Sequence, residues 1–191
     1  MSAKDNIIVL PNPHLRDKSS KVKIINKQMK KIIDEMKVAT LDWEASREHE
    51  LGVALAAIQI DKPYKIVVVR NNFEDKQDRS FSVFINPEII KFEGDIEEDY
   101  EGCLSVRDIY GKIPRHTKVR LKAKDEFGRD VRVKAEGFLA RVLQHEIDHT
   151  NGVMFVDHIK GKDDAFYKLT DEGKLESLPY ELAEATGIFR D

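Results

Sequence analysis

The sequence of 191 residues lacks three features that would define a functional class at once: paired cysteines, long apolar runs and an excess of one charge. Its single cysteine, Cys103, excludes an intramolecular disulfide and is compatible with a reducing compartment. No apolar run approaches the roughly 20 residues that a membrane-spanning helix needs. Met1–Arg16 has no apolar core typical of a secretion signal. We therefore expect a cytoplasmic protein that makes no use of a membrane.

The charges of the chain are balanced. With 32 basic and 35 acidic residues, the formal net charge is −3, whereas nucleic-acid-binding domains usually carry a strong positive excess. We therefore expect no direct nucleic-acid site. The length and the 41% hydrophobic content favour one catalytic domain over residues 1–191 with a core of its own. Residues 165–191 form a C-terminal extension whose structure the pattern does not define.

Apolar periodicity predicts the main elements. A helix is expected over about 26–43, and the β-branched run at 65–70 predicts a buried strand. The strongly acidic segment 94–99 is expected to be an exposed turn. A second helix over about 137–150, ended by Asn151-Gly152, predicts an α+β fold in which antiparallel β-sheets pack around that helix. Shorter strands are expected at 81–85, 89–92, 118–124 and 131–135.

The second predicted helix contains an H-E-x-x-H sequence within Gln144–His149 (Q-H-E-I-D-H). Because a helix turns about 100° per residue, His145 and His149 project from one face and can share a divalent metal ion. Glu146 lies beside them and can take a proton from a metal-activated water. This predicts a hydrolytic metal site, although a helix with ordinary surface histidines also fits so short a pattern.

A catalytic metal site of this kind needs a third protein ligand and an open position. Asp157 and His158 follow the helix, but they do not fit the H-E-x-x-H-x-x-G-x-x-H arrangement. Upstream, Cys103 lies within Glu101–Ser105 (E-G-C-L-S), beside a glycine that allows close approach. The residues alone leave the choice of third ligand open.

Three segments, in order along the chain, resemble the signature motifs of the peptide deformylase family. Gly52–Gln59 is similar to the pattern G-x-G-L-A-A-x-Q, and the other two segments match E-G-C-L-S and Q-H-E-x-D-H at every position. The resemblance covers about residues 8–160. It implies a small α+β enzyme that removes the formyl group, as formate, from the N-terminal formylmethionine of new polypeptides. Its partners would be these nascent peptides and, in addition, the ribosome.

The resemblance also implies one divalent metal ion held by Cys103, His145 and His149. Ferrous iron is the usual native ion of the family, and zinc, nickel or cobalt can occupy the site. One thiolate and two neutral imidazoles suit iron or zinc, so the residues do not choose between them. Glu101 and Asp148 are candidates to orient these ligands, with Arg115 as their partner.

Catalytic roles follow from the same resemblance. Glu146 would act as general base when water attacks the formyl carbon and then as general acid toward the leaving amine. The side-chain amide of Gln59 and the backbone N–H of Leu104 would stabilise the oxyanion. The predicted substrate contacts are the main chain of Val53, Ala54 and Gly102, and a methionine pocket lined by Val142, His145 and Tyr110.

Ala54 departs from the family pattern, which has a glycine at this position. If the position requires positive φ or lies against the substrate main chain, the methyl group would weaken peptide binding. In an ordinary extended conformation, alanine would be tolerated. We hypothesise reduced or altered peptide affinity with an intact catalytic apparatus.

Two other functions remain compatible with the sequence. A metallopeptidase that cuts internal peptide bonds would be favoured by H-E-x-x-H alone, and cleavage of casein without deformylation would identify it. A relative that binds metal or formylated peptide without turnover is favoured by Ala54, whereas the presence of Glu146 and Gln59 argues against it. A structural metal site would have a fourth protein ligand, and the sequence offers no obvious one.

Overall fold

An antiparallel β-sheet with a long helix on each face forms the core of the computed structural model, which describes residues 2–189. The described strands are β1 (Ala54–Ala56), β2 (Ile66–Arg70), β3 (Phe81–Cys103), β4 (Val106–Lys124), β5 (Asp130–Glu136), β6 (Phe166–Leu169) and β7 (Leu175–Ser177). The α-helices are α1 (Lys27–Ala45), α2 (Gly137–Thr150) and α3 (Tyr180–Glu184). The strands join in the order β1-β2-β3-β4-β6-β7, and β5 pairs with β4 beside this path. The predicted α+β class is confirmed, with the strands in one hydrogen-bonded sheet.

Strand β2 shows how the two helices cover the sheet. Successive side chains of a strand point to opposite faces. Ile66 and Val68 belong to the apolar cluster formed with α1, whereas Val67 and Val69 belong to the cluster formed with α2. All five residues of β2 are buried, which explains why this strand is a continuous β-branched run in the sequence.

Strands β3 and β4 form one long hairpin whose turn is Leu104-Ser105. The separate strands expected at 81–85 and 89–92 are parts of β3, interrupted by a bulge at Asn86, whose φ is 53°. The exposed turn expected at 94–99 was wrong, because this segment pairs with residues 113–116 of β4. Its acidic side chains remain in solvent, so backbone pairing does not bury their charge.

Helix α2 has the boundaries predicted for it. It begins at Gly137 and ends at Thr150, and Gly152 follows with a φ of 76°. A Cβ on Gly152 would lie 2.3 Å from the Arg16 carbonyl oxygen, so this position needs glycine for space as well as conformation. The Gln144 side chain fastens α2 to β4, since its Nε2 donates to the His116 carbonyl at 2.8 Å.

The described part of the C-terminal extension is ordered into β6, β7 and α3. Phe166 and Tyr167 of β6 pair with Gly111 and Tyr110 of β4. Phe166 is fully buried in an apolar cluster that also contains Cys103. Within residues 2–189, none of the helices is both long and apolar enough to cross a membrane.

Candidate active site

Cys103 is the last residue of β3, at the tip of the long hairpin and facing α2. Its Sγ lies 3.3 Å from His149 Nε2. It also accepts hydrogen bonds from the Ser105 backbone N–H at 3.4 Å and the Gln59 amide at 3.5 Å. The two-residue turn therefore presents the sulfur to the helix while its own backbone holds the sulfur in place.

The two histidines of α2 meet this sulfur as their spacing predicts. His145 Nε2 and His149 Nε2 lie 3.2 Å apart, and one ligand atom from each histidine and from Cys103 falls within 4.8 Å of the others. All three residues are buried. Burial, with His145 beside it, holds the pKa of His149 well below its usual range. His149 is therefore a neutral imidazole whose nitrogen lone pair can bind a metal.

The chemistry of these donors fits a divalent metal ion. At separations of 3.2 and 3.3 Å, the lone pairs of two imidazole nitrogens and a sulfur face one another and are stable only with a proton or a cation between them. A soft thiolate with imidazoles is typical of iron and zinc sites. Among the described residues, this is the group of histidine, cysteine and carboxylate side chains that converges for a metal.

Glu101 orients His145 from the side away from Cys103. Its carboxylate accepts from His145 Nδ1 at 2.9 Å, from Arg115 Nε at 2.9 Å and from Arg141 Nη1 at 2.9 Å. Burial opposes ionisation of Glu101, but the hydrogen bonds from His145 and Arg115 hold its pKa well below its usual range. Asp148 accepts from Arg115 Nη1 at 2.6 Å and contacts His158 Nε2 at 2.7 Å. Glu101 thus fixes the His145 ring directly, whereas the contacts of Asp148 are with Arg115 and His158.

Gln59 also reaches the cluster, through the Cys103 sulfur. It lies in a short 3-10 helix after β1, where its Oε1 accepts from the Ala56 backbone N–H at 2.8 Å. This bond leaves Nε2 to donate toward Ser105 Oγ at 3.1 Å and Cys103 Sγ. Gln59 is buried, not exposed at a strand end.

Glu146 is a buried carboxyl group next to the cluster. Its Oε2 has no hydrogen-bond partner among the described residues. Burial raises the pKa of this carboxyl group to about 7. A carboxyl group near neutrality can both accept and return a proton.

A cavity of about 340 Å³ opens onto these groups. Glu146, Gln59, Leu104, Cys103 and His145 line it, whereas His149 lies entirely beneath the surface. Every residue that the sequence predicted as a substrate contact also lines it: Val53, Ala54, Gly102, Tyr110 and Val142.

Ala54 lies in extended backbone at the start of β1, opposite Val69. The described non-glycine residues with positive φ are Asp61, Asn86 and Asp108. Alanine therefore causes no backbone strain at position 54, and only its methyl group in the cavity distinguishes it from glycine.

Sequence reasoning missed several residues of the site. Arg141 holds Glu101, and its position four residues before His145 on the buried face of α2 was an available signal. The cavity residues Trp43, His49, Glu50 and Phe73 come from segments with no motif, and their approach depends on tertiary packing.

Fold and site together define a class: a metal-dependent hydrolase of α+β fold, in which a thiol and two imidazoles could hold the metal ion. A family profile described as Polypeptide deformylase matches residues 4–165. The chain belongs to the peptide deformylase family, whose members remove N-formyl groups from nascent peptides. The resemblance inferred from the three motifs is confirmed.

Individual relatives agree with this assignment. A peptide deformylase of Mesorhizobium japonicum is 41% identical over 80% of this chain and 82% of its own length. The crystal structure of a peptide deformylase from Synechococcus elongatus in complex with actinonin is 35% identical, with a TM-score of 0.74 over 82% of this chain and 80% of that chain. A Met-Ala-Ser-bound peptide deformylase from Acinetobacter baumannii is 28% identical, with a TM-score of 0.70 over 80% of this chain and 96% of that chain.

Proposed function

We propose that this chain deformylates N-formylmethionyl peptides at the cluster of Cys103, His145 and His149. The observation that carries the proposal is the convergence of Cys103 Sγ and two Nε2 atoms at separations of 3.2 and 3.3 Å. A buried carboxyl group, Glu146, follows His145 on α2, and a buried amide donor, Gln59, contacts Cys103 Sγ. A metal, a proton carrier and an oxyanion donor are the three functions that amide hydrolysis needs.

The three ligands would hold one divalent ion, with ferrous iron as the native one and zinc, nickel or cobalt as substitutes. When bound, the ion supplies the Lewis acidity that brings the pKa of a water molecule toward neutrality. The hydrogen bond between Glu101 and His145 Nδ1 supports this role, because it leaves Nε2 as the lone-pair donor toward the cluster. Metal analysis of protein purified without oxygen identifies the native ion.

Glu146 carries the proton in this proposal. Its carboxylate accepts a proton from the attacking water and returns it to the amine of the departing peptide. Burial of the carboxyl group and the absence of a partner for Oε2 among residues 2–189 support this assignment. A carboxylate already engaged in an ion pair, such as Glu101, would be a poor proton carrier.

Gln59 and Leu104 stabilise the oxyanion that forms on the formyl carbon. The bond from the Ala56 N–H to Gln59 Oε1 fixes which end of the amide faces the cluster. Such preorganised donors need no rearrangement when charge develops, which is the main source of their effect. The Leu104 backbone N–H, in the hairpin turn beside Cys103, is assigned from the motif and from the cavity lining.

The peptide main chain would lie along the edge of β1. In the described part of the chain β1 pairs with β2 alone, so its other edge is available to an extended peptide. Val53 and Ala54 would meet the peptide on this edge and Gly102 on the hairpin. Val142 and Tyr110 would line the methionine pocket with His145.

The partners and location follow from the substrate. Formylated nascent peptides emerge from the ribosome, so we propose a cytoplasmic protein that acts near the ribosome. Co-sedimentation with ribosomes tests for direct contact. Cell fractionation tests the location.

Formate release from formyl-Met-Ala-Ser, catalysed by iron-loaded protein without oxygen, tests the proposed reaction. Met-Ala-Ser is the product this peptide would yield, and it is bound in the Acinetobacter baumannii relative. We expect one formate for each peptide consumed and no cleavage of casein. Casein cleavage without formate would instead identify an internal peptidase, and binding without formate a non-catalytic relative.

A further inference from the structure

The strands β6 and β7 form a hairpin that lies outside the family match, which ends at residue 165. This C-terminal hairpin, residues 166–177, contains no residue of the cavity lining. Its contacts nevertheless reach three of the lining residues. The extension therefore contacts the substrate site through residues that belong neither to the three motifs nor to the catalytic groups.

The first contact is through the sheet. Tyr167 pairs with Tyr110 in the register between β6 and β4, and Tyr110 lines the cavity. The Tyr167 ring also meets the Tyr100 ring edge-on at 4.9 Å between centroids, and Tyr100 is a second lining residue. Tyr110 Oη then donates to Glu50 Oε1 at 2.7 Å. The hairpin thus contacts the Tyr100 ring and pairs with the backbone of Tyr110, whose side chain holds the segment that contains Glu50.

The second contact is at the hairpin turn. Gly173 has a φ of 77°, and a Cβ built on it would lie 2.7 Å from His49 Cγ and 3.1 Å from His49 Cβ. The Cβ atom keeps its position when the side chain rotates, so a change of rotamer does not relieve this contact completely. His49 lines the cavity next to Glu50. His49, in the segment 46–50, therefore packs directly against the backbone of Gly173.

We propose that the C-terminal hairpin positions a wall of the substrate cavity, formed by His49, Glu50 and Tyr100, that contacts peptide residues following the formylmethionine. The inference rests on the proposed function. Cys103, Glu146 and Gln59 occupy the end of the cavity where the formyl group reacts, and Val142 lies on α2 beside them. His49 and Glu50 lie in the segment between α1 and β1, and Tyr100 lies on β3 three residues before Cys103. The part of a peptide beyond its first residue is therefore what remains for this wall to bind. The hairpin residues are positioning residues: they act through the wall, which sets peptide affinity and not the rate of the chemical step.

Deleting the hairpin would be a poor test, because Phe166 packs in the apolar cluster that contains Cys103. Gly173→Ala is sharper, since its methyl group displaces His49 and touches no catalytic group. Gly161→Ala is the matched control: Gly161 also has positive φ, 79°, but a Cβ there meets nothing within 4 Å. The two variants carry the same kind of backbone strain, and only one of them acts on the cavity wall.

Steady-state deformylation of formyl-Met-Ala-Ser and of formyl-Met alone, by the iron-loaded protein, separates the effects. For Gly173→Ala we expect KM for the tripeptide to rise by about threefold to tenfold, with kcat changed by less than about twofold and KM for formyl-Met unaffected. Gly161→Ala should match the wild type on both substrates. Equal KM values for Gly173→Ala and wild type on the tripeptide, or an equal rise on both substrates, would overturn the proposal.

His49→Ala keeps the proposal testable if Gly173→Ala proves poorly folded: it should raise KM for the tripeptide by about threefold to tenfold and leave KM for formyl-Met unaffected. Where Gly173→Ala folds, adding it to His49→Ala should raise KM by less than it does alone, because its contact with His49 Cγ is gone. A rise in KM for the double variant equal to the product of the rises for the two single variants would contradict this. Failure of the wild type to release formate from either substrate would refute the proposed function instead, so the two failures are distinguishable.

Discussion

Burial determines what the individual side chains of the site can do. Glu101 and Glu146 are both buried carboxyl groups, yet their pKa values move in opposite directions. Arg115 and His145 donate hydrogen bonds to the Glu101 carboxylate, whereas Glu146 Oε2 has no hydrogen-bond partner among residues 2–189. The same residue type therefore yields a fixed anion that orients a ligand and a carboxyl group that can exchange its proton near neutral pH.

Replacing Glu146 by glutamine tests the second of these roles. The amide keeps the volume of the carboxyl group but cannot accept the proton, so we expect formate release to fall by about 10²- to 10⁴-fold. Metal content should stay at the wild-type level, because Glu146 is not a proposed ligand. A variant with near-native turnover would contradict the assignment of Glu146 as proton carrier.

The methyl group of Ala54 is the chain's departure from the family motif. Its backbone is extended, so glycine would bring no relief of strain, but removing the methyl group lets a peptide main chain approach the edge of β1 more closely. For Ala54→Gly we expect KM for formyl-Met-Ala-Ser to fall by about twofold to tenfold, with kcat nearly unchanged. Kinetic constants indistinguishable from wild type would show that this methyl group does not touch the substrate.

At the scale of elements, Glu101 connects the pieces that carry the site. It lies on β3 and receives hydrogen bonds from Arg115 on β4 and from Arg141 and His145 on α2. Arg141 also donates to the Ile113 carbonyl at 2.7 Å and the Glu97 carbonyl at 2.8 Å. A buried network of charged side chains thus links the β3–β4 hairpin to α2.

Removing Glu101 should therefore loosen the assembly. In Glu101→Ala, two buried arginines lose their carboxylate, and breaking such a pair costs about 3–5 kcal/mol of unfolding free energy. Metal affinity should also fall by about 10- to 100-fold, because His145 Nδ1 loses its partner. Urea unfolding and metal titration measure the two effects.

Glu93→Gln is the control for this variant. Glu93 also joins β3 to an arginine of β4, Arg120, but this pair is exposed to solvent. Exposed pairs contribute little to stability, so the unfolding free energy should stay close to that of the wild type. Equal losses in Glu101→Ala and Glu93→Gln would contradict the role of the buried network.

The elements also mark how far sequence reasoning could reach. Local patterns sufficed for α2, because the i, i+4 spacing of its histidines and the Asn151-Gly152 ending are properties of the helix alone. The acidic residues 94–99 were misread because their strand is stabilised by a distant partner, residues 113–116, which leaves no local signal. The choice of Cys103 needed the motif resemblance, and the network around Glu101 beyond Arg115 appears only when three elements are packed together.

For the whole molecule, the proposed metal ion is also a source of stability. The cluster joins β3 to α2, so an ion bound there is bound by the folded chain and not by the unfolded one. At a thousandfold excess over its Kd, such an ion stabilises the fold by about 4 kcal/mol. Treatment with a chelator should lower the melting temperature and stop formate release, and ferrous iron should restore both. An unchanged melting temperature after complete metal removal would contradict this coupling.

The central claim is that Cys103, with His145 and His149, holds the ion on which deformylation depends. The most direct test measures metal content and formate release from formyl-Met-Ala-Ser on the same samples of wild type and Cys103→Ala, prepared without oxygen. We predict one divalent ion per chain and formate release in the wild type, and loss of both in a variant that remains folded. A folded Cys103→Ala protein that retains its ion and its turnover would contradict the account.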